Sequence, residues 1–344
     1  MEDRSSVVVN GRFLTAQVTG LQRTARALVD AAIAAGLRAE VLAPSGTSDP
    51  RVDRTAWSPP GPGTHQTWEQ LVLPVIARGR RIVSFANTAP LLSRRSVVWI
   101  HDLAPVVGPQ WFVESMRVYA RLVVLAARRA ELVLTVSPTV ADELRAIGAR
   151  RVSLIRPAVD AIFRPAPAHE VAAVRDRHGL HRPYVVLVGW ADPRKGLDTA
   201  LSAHRAVYGD IPHDLVLIGR AHPTFARIDA PSGEGIVTPG YLDESDLVAM
   251  LTGAAALLYP TRYEGYGLPP LEAWSCGTPA LVSDIPVMRD TTGGQGPLLD
   301  PDDAGAWAAG LAASLEGRLT APPAPQWSWA DAGRRLVDEL AALP

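Results

Sequence analysis

Two glutamates stand eight positions apart in the segment YEGYGLPPLEAWSCGTP, which combines acidic residues with closely spaced glycines. Glu264 lies in the loop after a predicted strand, and Gly265 and Gly267 let the backbone pass close to a ligand. Pro270 is predicted to open a short helix with Glu272 in its first turn. The free N–H groups at a helix start bind phosphate, and carboxylates hydrogen-bond sugar hydroxyls. The segment therefore indicates a site for a phosphorylated sugar.

Each glutamate also has a purely structural interpretation. A carboxylate in the first turn, such as Glu272, compensates the helix dipole, and Glu264 is an ordinary solvated loop residue. The two carboxylates together, on either side of an anion-binding turn, favour the binding site.

The basic residues of this chain are almost all arginine. Of 34 Lys and Arg residues, Lys195 is the only lysine. It lies beside Arg194 in GWADPRKG, after a predicted strand, where open α/β sheets bind their ligands. Two cations there can neutralise a leaving diphosphate, and a compact ammonium differs from the wide guanidinium fork. A solvated pair of charges in a turn is the alternative, but the lone lysine favours a functional role.

Two positions in the first half of the chain are further candidates. Gly20, between the first strand and the first helix, allows that helix start to approach a phosphate, although a flexible turn is the alternative. His101, followed by Asp102 in VVWIHDLAP, ends a buried strand and is either an active-site group or a satisfied structural histidine. No G-x-G-x-x-G follows the first strand and no G-x-x-x-x-G-K-[ST] occurs, so dinucleotide and P-loop sites have no support.

The remaining polar motifs indicate neither a metal nor a nucleophile. The runs DPDD (300–303) and DESD (243–246) precede predicted helices, suit N-caps and lack nearby histidines. Ser137 before Pro138 is a typical N-cap, and no G-x-S-x-G elbow occurs. We therefore predict no metal site and no cofactor.

Strands and helices that must position these candidates alternate along the chain. Several strands are continuous apolar runs, as expected of parallel strands covered on both faces. The predicted strands are 6–10, 40–43, 82–85, 97–101, 132–136, 152–155, 184–188, 214–218, 235–238, 255–259 and 280–283. The predicted helices are 21–35, 113–129, 139–147, 197–208, 245–251 and 304–315. The alternation, repeated twice, predicts an α/β chain of two doubly wound domains.

The length of 344 residues also suits two domains of ~150 residues each. The proline-rich stretch RPAVDAIFRPAP is the predicted boundary, which gives a first domain of 1–160 and a second of 168–326. A final helix within 327–344 is predicted to pack back on the first domain.

Composition excludes several classes of protein. With 47% hydrophobic and 20% charged residues the chain is folded, and a net charge of −1 argues against nucleic-acid binding by bulk charge. The single cysteine, Cys276, forms no intrachain disulfide, and the sequence start has no leader-like pattern. We expect a cytoplasmic protein. The predicted helix 113–129, with four arginines beside apolar residues, is either half-buried or a peripheral contact with an anionic membrane.

The E-x7-E segment and the PRKG loop together resemble the retaining glycosyltransferases of family four, the glycosyl transferases group 1. Counterparts of that family also fall at NGRFLTAQVTGLQR, IHDLAP, TVSPTVADEL and WSWADAGRRL. The sequences of the segments GYGLPPLEA and IHDLAP are most similar to those of bacterial mannosyltransferases of surface polysaccharide assembly. The resemblance implies the GT-B fold, in which two Rossmann-like domains face each other across a cleft and the C-terminal helix crosses back to the first.

The resemblance also implies residue roles. The first glutamate of the family motif contacts the donor sugar and the second the nucleotide ribose, which correspond to Glu264 and Glu272. The pair that clamps the donor diphosphate corresponds to Arg194 and Lys195, and the active-site histidine to His101. Further donor contacts are expected at Gly20, Tyr241, Leu242, Gly265, Tyr266, Gly267 and Leu268. Tyr266 replaces a phenylalanine found in many members.

The implied activity is retaining transfer of a hexose from a nucleotide-diphosphate sugar, with GDP-mannose favoured, to a hydroxyl acceptor. The acceptor is a saccharide, a lipid-linked saccharide or a natural product. Since no carboxylate nucleophile is identifiable, the family's reaction on one sugar face, without a divalent metal, is expected. The alternatives are a non-catalytic nucleotide-sugar-binding protein and a sugar-nucleotide epimerase of the same fold.

Overall fold

The structure is a computed structural model that describes residues 7–16, 19–58, 64–323 and 326–344. The chain divides into two compact units. The first contains the described residues of Met1–Val107, Arg117–Ala158 and Trp327–Pro344, and the second those of Gly108–Met116 and Val159–Gln326. Residues 108–116, which the sequence analysis placed in the first domain, thus belong to the second unit.

A seven-stranded parallel sheet forms the centre of the first unit, in the order β3-β2-β1-β4-β5-β6-β7. Its strands are β1 Val7–Asn10, β2 Ala39–Pro44, β3 Arg54–Ala56, β4 Ile82–Ser84, β5 Ser96–Ile100, β6 Leu132–Thr135 and β7 Val152–Leu154. The central strands are buried on both faces, which is why they are continuous apolar runs rather than alternating ones.

Six helices of the first part of the chain flank this sheet. They are α1 Gly20–Ala34, α2 Thr64–Thr67, α3 Leu73–Ile76, α4 Ala104–Val107, α5 Met116–Arg129 and α6 Pro138–Ala146. A π-helical turn, Trp68–Val72, joins α2 to α3. Helix α5 begins three residues later than predicted, and the N–H of Val113 donates to the carbonyl of Thr224 (N–O distance 3.1 Å).

The second unit is built on a six-stranded parallel sheet of order β10-β9-β8-β11-β12-β13. Its strands are β8 Tyr184–Val188, β9 Asp214–Ile218, β10 Ile236–Gly240, β11 Ala256–Tyr259, β12 Ala280–Ser283 and β13 Leu298–Leu299. Its helices are α7 Ala168–Arg177, α8 Leu197–Tyr208, α9 Glu244–Thr252, α10 Leu268–Ser275, α11 Pro286–Thr292 and α12 Ala304–Leu315. The strand order reverses between β8 and β11, and doubly wound sheets bind ligands at such a switch point.

The last helix, α13 Trp329–Ala341, packs on α1 of the first unit. A Cβ added at Gly333 would lie 2.5 Å from the backbone of Ala31, so the glycine permits this close approach. The indole N–H of Trp327 donates to the carbonyl of Arg156 (2.7 Å) at the start of the helix. Within the described ranges, no helix has both the length and the apolar character needed to cross a membrane.

Candidate functional site

The loop after β8 carries Arg194 and Lys195 in a short 3₁₀ turn, Pro193–Lys195. Asp192 caps this turn by accepting from the backbone N–H of Arg194 (3.0 Å). Gly196 follows with φ +63°, and a Cβ there would lie 2.0 Å from the carbonyl oxygen of Pro260. Only glycine fits, and the loop after β8 therefore packs directly on the loop after β11.

Lys195 and Glu264 form one buried ion pair, with 14% and 10% of their side chains exposed. The ammonium donates to Glu264 Oε1 and to the hydroxyl of Tyr259 (2.8 Å). Oε1 also accepts from the Tyr259 hydroxyl (2.7 Å) and the Thr261 hydroxyl (2.8 Å). Within the described residues Oε2 accepts no hydrogen bond, so this oxygen is available to a sugar hydroxyl.

Tyr259 stabilises this arrangement as a permanent donor. Burial raises the pKa of its phenol well above the ordinary value, and the neighbouring Glu264 carboxylate raises it further. The hydroxyl therefore keeps its proton throughout the physiological range. The ammonium of Lys195 also lies 4.7 Å from the centre of the Tyr259 ring, a cation–π contact that adds to the ion pair.

Arg194 is held on three sides. Its Nη2 lies 2.6 Å from Asp192 Oδ2 and its Nε lies 3.0 Å from Oδ1. The guanidinium carbon lies 5.8 Å from the ring centre of Phe112 and 5.7 Å from that of Phe225. Burial alone would raise the pKa of Asp192, but the charges and hydrogen bonds of Arg194 and the charge of Lys195 hold it below its ordinary value. Asp192 is therefore ionised, and the pair orients the guanidinium.

The aromatic contact to Arg194 comes from the segment Gly108–Met116, whose residues 113–116 were predicted to be helical. Phe112 and Phe225 form a single antiparallel bridge, and the N–H of Ala226 donates to the carbonyl of Trp111 (2.9 Å). The Trp111 ring also lies 6.0 Å from the ring of Tyr263. Clustered aromatic residues at 111 and 112 were the only sequence signal for this contact.

Helix α10 begins at Leu268, two residues before the predicted start at Pro270. Gly267 caps it with φ +86°, where a Cβ would lie 2.6 Å from the sulfur of Met288. Pro269 and Pro270 therefore occupy the second and third helical positions, and neither carries an N–H. The prediction that free N–H groups of the helix start bind an anion is therefore wrong for these two positions. The N–H donors that remain belong mainly to the loop before the helix.

Glu272 consequently lies in the second turn of α10 rather than the first. It is buried, with 4% exposure, so compensation of the helix dipole does not explain it. Tyr266, between the two glutamates, accepts through its carbonyl from the Thr291 hydroxyl (2.5 Å). The loop between the glutamates is thus fixed from α11.

The loop after β10 carries Tyr241, which is 54% exposed, and the buried Leu242. The guanidinium of Arg220 lies 5.7 Å from the Tyr241 ring centre. A cavity of about 640 Å³ lies at the carboxyl ends of β8, β9 and β10. Among the described residues that line it are Trp190, Gly219, Arg220, Phe225, Thr238 and Gly240. Tyr241 and Leu242 are not among its lining residues, so their predicted contacts would be made beside it.

His101 directly follows β5 in the first unit. Burial lowers the pKa of the ring to about 4, against smaller raising effects of the Phe85 carbonyl and the Asp102 charge. The imidazole is therefore neutral at pH 7. Its Nε2 lies 3.2 Å from the carbonyl oxygen of Phe85, which can only accept, so Nε2 carries the proton. Nδ1 is then the acceptor nitrogen, suited to a ligand hydroxyl.

Gly20 opens α1 in the first unit after the N-cap Thr19. A Cβ added there would meet no protein atom within 4 Å in the described structure. Packing therefore does not require glycine, and a role toward a ligand stays a prediction. Of the predicted site residues, the second unit brings Arg194, Lys195 and Glu264 together. In the first unit, Gly20 lies at the start of α1 and His101 at the end of β5.

The acidic runs that were predicted to be caps serve as caps. Asp303 accepts from the N–H of Ala306 (3.0 Å) and Asp243 from that of Asp246 (2.8 Å). Ser137 likewise accepts from the N–H of Val140 (3.2 Å). Over the described part of the chain, no three His, Cys, Asp or Glu side chains form a group that could hold a metal ion.

Part of the chain is similar to a known protein family. The sequence profile described as Glycosyl transferases group 1 matches residues 182–316. The O-antigen chain mannosyltransferase RfbU of Salmonella typhimurium is 26% identical over 230 residues, which cover 65% of this chain and 62% of RfbU. The chain thus spans less than two thirds of the length of this curated relative.

Solved structures share the fold at lower identity. Sucrose-phosphate synthase from Thermosynechococcus elongatus matches with a TM-score of 0.66 at 21% identity, over 97% of this chain and 94% of the other. The Anabaena protein HepE, solved with UDP and glucose, matches with a TM-score of 0.66 at 16% identity, over 97% and 95%. The predicted GT-B fold is confirmed, and residues 182–316 are similar to the glycosyl transferases group 1 family.

Proposed function

We propose that the chain is a retaining glycosyltransferase that moves a hexose from a nucleotide-diphosphate sugar to a hydroxyl acceptor. The observation that carries the proposal is the pairing of Lys195 with Glu264 beside the Arg194–Asp192 pair, at the point where the order of the second sheet reverses. These residues lie inside the part of the chain that matches the family.

Each group at this point has a role in binding the donor. Glu264 accepts a sugar hydroxyl on Oε2, while Oε1 is held by three donors. An ammonium has three hydrogens and Lys195 uses two of them, so the third can reach a phosphate oxygen. Arg194, oriented by Asp192, adds a second positive charge. Glu272 binds the ribose.

The chemistry follows from these charges. When the sugar–phosphate bond breaks, Lys195 and Arg194 stabilise the negative charge on the departing diphosphate. The oxygen of that phosphate takes the proton of the acceptor hydroxyl, which attacks the same face of the sugar. Glu264 is a poor nucleophile because three donors occupy one of its oxygens, so its role is to hold the sugar. The protein cations supply the positive charge that the reaction needs without a divalent metal.

His101, in the first unit, is a further catalytic residue in this proposal. Its neutral ring offers Nδ1 as an acceptor for a donor-sugar hydroxyl, since Nε2–H is committed to Phe85. A neutral acceptor holds the sugar without repelling or attracting the charge that develops on the diphosphate.

GDP-mannose is the favoured donor, because RfbU is named a mannosyltransferase. UDP-glucose is the main competitor, since HepE was solved with UDP and glucose. The exposed face of α5 favours a lipid-linked acceptor at an anionic membrane: Val118 and Leu125 are 61% and 39% exposed among exposed arginines. Sedimentation with anionic and neutral vesicles tests this face, and equal sedimentation with both would contradict it.

The donor is best identified by thermal shift with GDP-, UDP- and dTDP-sugars in EDTA. A ligand at 100 times its Kd adds about 2.7 kcal/mol to the unfolding free energy, so one nucleotide should raise the Tm clearly above the others. Product analysis by NMR then follows with saccharide and lipid-linked acceptors. Transfer with the anomeric configuration of the donor supports the proposal. An epimerised sugar nucleotide, an inverted product or strict dependence on Mg²⁺ or Mn²⁺ would overturn it.

A further inference from the structure

Asn87 has an unusual backbone for a side-chain-bearing residue. Its φ is +62°, and in the described part of the chain only Arg78 is a second such non-glycine residue. Asn87 lies in the loop after β4 and is 6% exposed. Asparagine tolerates the left-handed region better than most residues, but the conformation still costs energy. Backbone strain of this kind persists where the surrounding contacts require it, often at functional sites.

The side chain of Asn87 is hydrogen-bonded to the end of β5. Its Oδ1 accepts from the backbone N–H of His101 (2.7 Å). The backbone N–H of Asn87 donates to the carbonyl of Trp99 (3.2 Å). These bonds tie the loop after β4 to the end of β5, where His101 lies.

The same loop also holds the imidazole of His101. Phe85, two residues before Asn87, accepts the Nε2–H through its carbonyl (3.2 Å). The rings of Trp99 and His101 lie 4.2 Å apart, and the rings of Phe85 and Trp99 6.1 Å apart. One short loop thus accepts hydrogen bonds from both the backbone and the ring of His101.

We propose that Asn87 is a positioning residue for His101. The Asn87 side-chain oxygen fixes the backbone of His101 at the end of β5, so that Nε2–H meets the Phe85 carbonyl and Nδ1 is left as the acceptor. The proposal rests on the proposed function, because it matters for transfer only if His101 holds the donor sugar. Asn87 itself touches no reacting atom.

Two substitutions separate the side chain of Asn87 from its backbone. Asn87→Gly keeps the φ of +62° without strain but removes the oxygen that binds His101. Asn87→Asp keeps an acceptor oxygen and tolerates the same φ. Arg78→Gly is the matched control, because it relieves the other positive φ at the opposite end of β4.

We expect Asn87→Gly to lower kcat about tenfold, equivalent to about 1.4 kcal/mol of barrier, while the Kd of the nucleotide diphosphate is unchanged. Asn87→Asp should restore most of kcat, and Arg78→Gly should match the wild type. Nitrogen NMR of the histidine side chains should show His101 in the Nε2–H tautomer in the wild type and a mixture of tautomers in Asn87→Gly.

Wild-type kcat and an unchanged tautomer in Asn87→Gly would overturn the proposal, as would equal losses in the Gly and Asp variants. The tautomer is measured without any substrate. If the wild type transfers no sugar, the proposed function fails, while the NMR comparison still decides whether Asn87 positions His101.

Discussion

In the second unit the candidate side chains are held by ion pairs, Lys195 with Glu264 and Arg194 with Asp192, whereas in the first unit His101 is held by neutral hydrogen bonds from the Phe85–Asn87 loop. A buried ion pair responds to an incoming diphosphate, because new negative charge competes for the cations. A neutral imidazole whose tautomer is fixed by a carbonyl does not respond to charge in this way, and it keeps one acceptor nitrogen. At the carboxyl ends of its strands, the second unit thus holds its candidate side chains through charge. At the corresponding edge of its sheet, the first unit holds His101 through the geometry of neutral hydrogen bonds.

The largest effect is expected at Lys195. Lys195→Ala leaves Glu264 buried without its cation, and removing one preorganised donor typically costs ~10²–10³ in turnover. Lys195→Arg is the sharper substitution, because the ammonium fits between Glu264 and the Tyr259 ring, where a planar fork has little room. We expect Lys195→Arg to fold, as judged by circular dichroism and Tm, and to lose most of its kcat. A near wild-type kcat would show that any cation suffices at position 195. The second unit would then depend less on the exact geometry of its charged pair than the comparison with His101 assumes.

A smaller effect is expected from the rings that enclose Arg194. Phe112→Leu and Phe225→Leu each keep apolar bulk and remove one aromatic face, and a cation–π contact contributes about 0.5–2 kcal/mol. Each variant should weaken nucleotide diphosphate binding by roughly two- to thirtyfold, measured by calorimetry. Phe163→Leu, in the core of the second unit, is the control for general loss of packing. If its affinity falls as much as that of Phe112→Leu, the rings act only by packing.

A third expectation concerns pH and compares a histidine from each unit. Burial lowers the pKa of both His101 and His204 to about 4, from an ordinary value of 6.5. Between pH 6.5 and 4 the unfolded chain binds protons that the folded chain does not, so the unfolding free energy falls as pH falls through this window. Urea titrations at pH 7 and pH 5 measure the difference. His101→Gln and His204→Gln should each reduce it, and a difference that both variants leave unchanged would contradict the assignment.

Regions with continuous apolar character were predictable from the sequence. Strands β8, β9 and β12 and helices α8 and α12 have the predicted bounds, because their patterns end sharply at polar or turn-forming residues. Strand β3 and the two-residue β13 were missed, since an exposed edge strand and a very short strand carry little apolar signal. The start of α10 was misplaced because Gly267, rather than a polar cap, opens the helix.

The candidate site, like the fold, was predictable only in part. Lys195, Arg194 and Glu264 were found because charged residues beside glycines are visible in a sequence. Their partners Tyr259 and Phe112 were not found, because an aromatic residue at a strand end or before a helix looks like core. The proposed role of Asn87 could not be predicted from the sequence for another reason. It depends on a positive φ, and residue type alone does not determine that angle.

We propose that the second unit holds the nucleotide-sugar donor through Glu264 and Glu272 in different ways, and calorimetric titration of the nucleotide diphosphate in EDTA distinguishes the two roles. The wild type should bind the nucleotide without metal. Glu264→Ala should keep nearly the same affinity, because Glu264 holds only the sugar, whereas Glu272→Ala should lose affinity for the nucleotide and for the sugar nucleotide alike. Equal losses in both variants, or no binding by the wild type, would contradict the account.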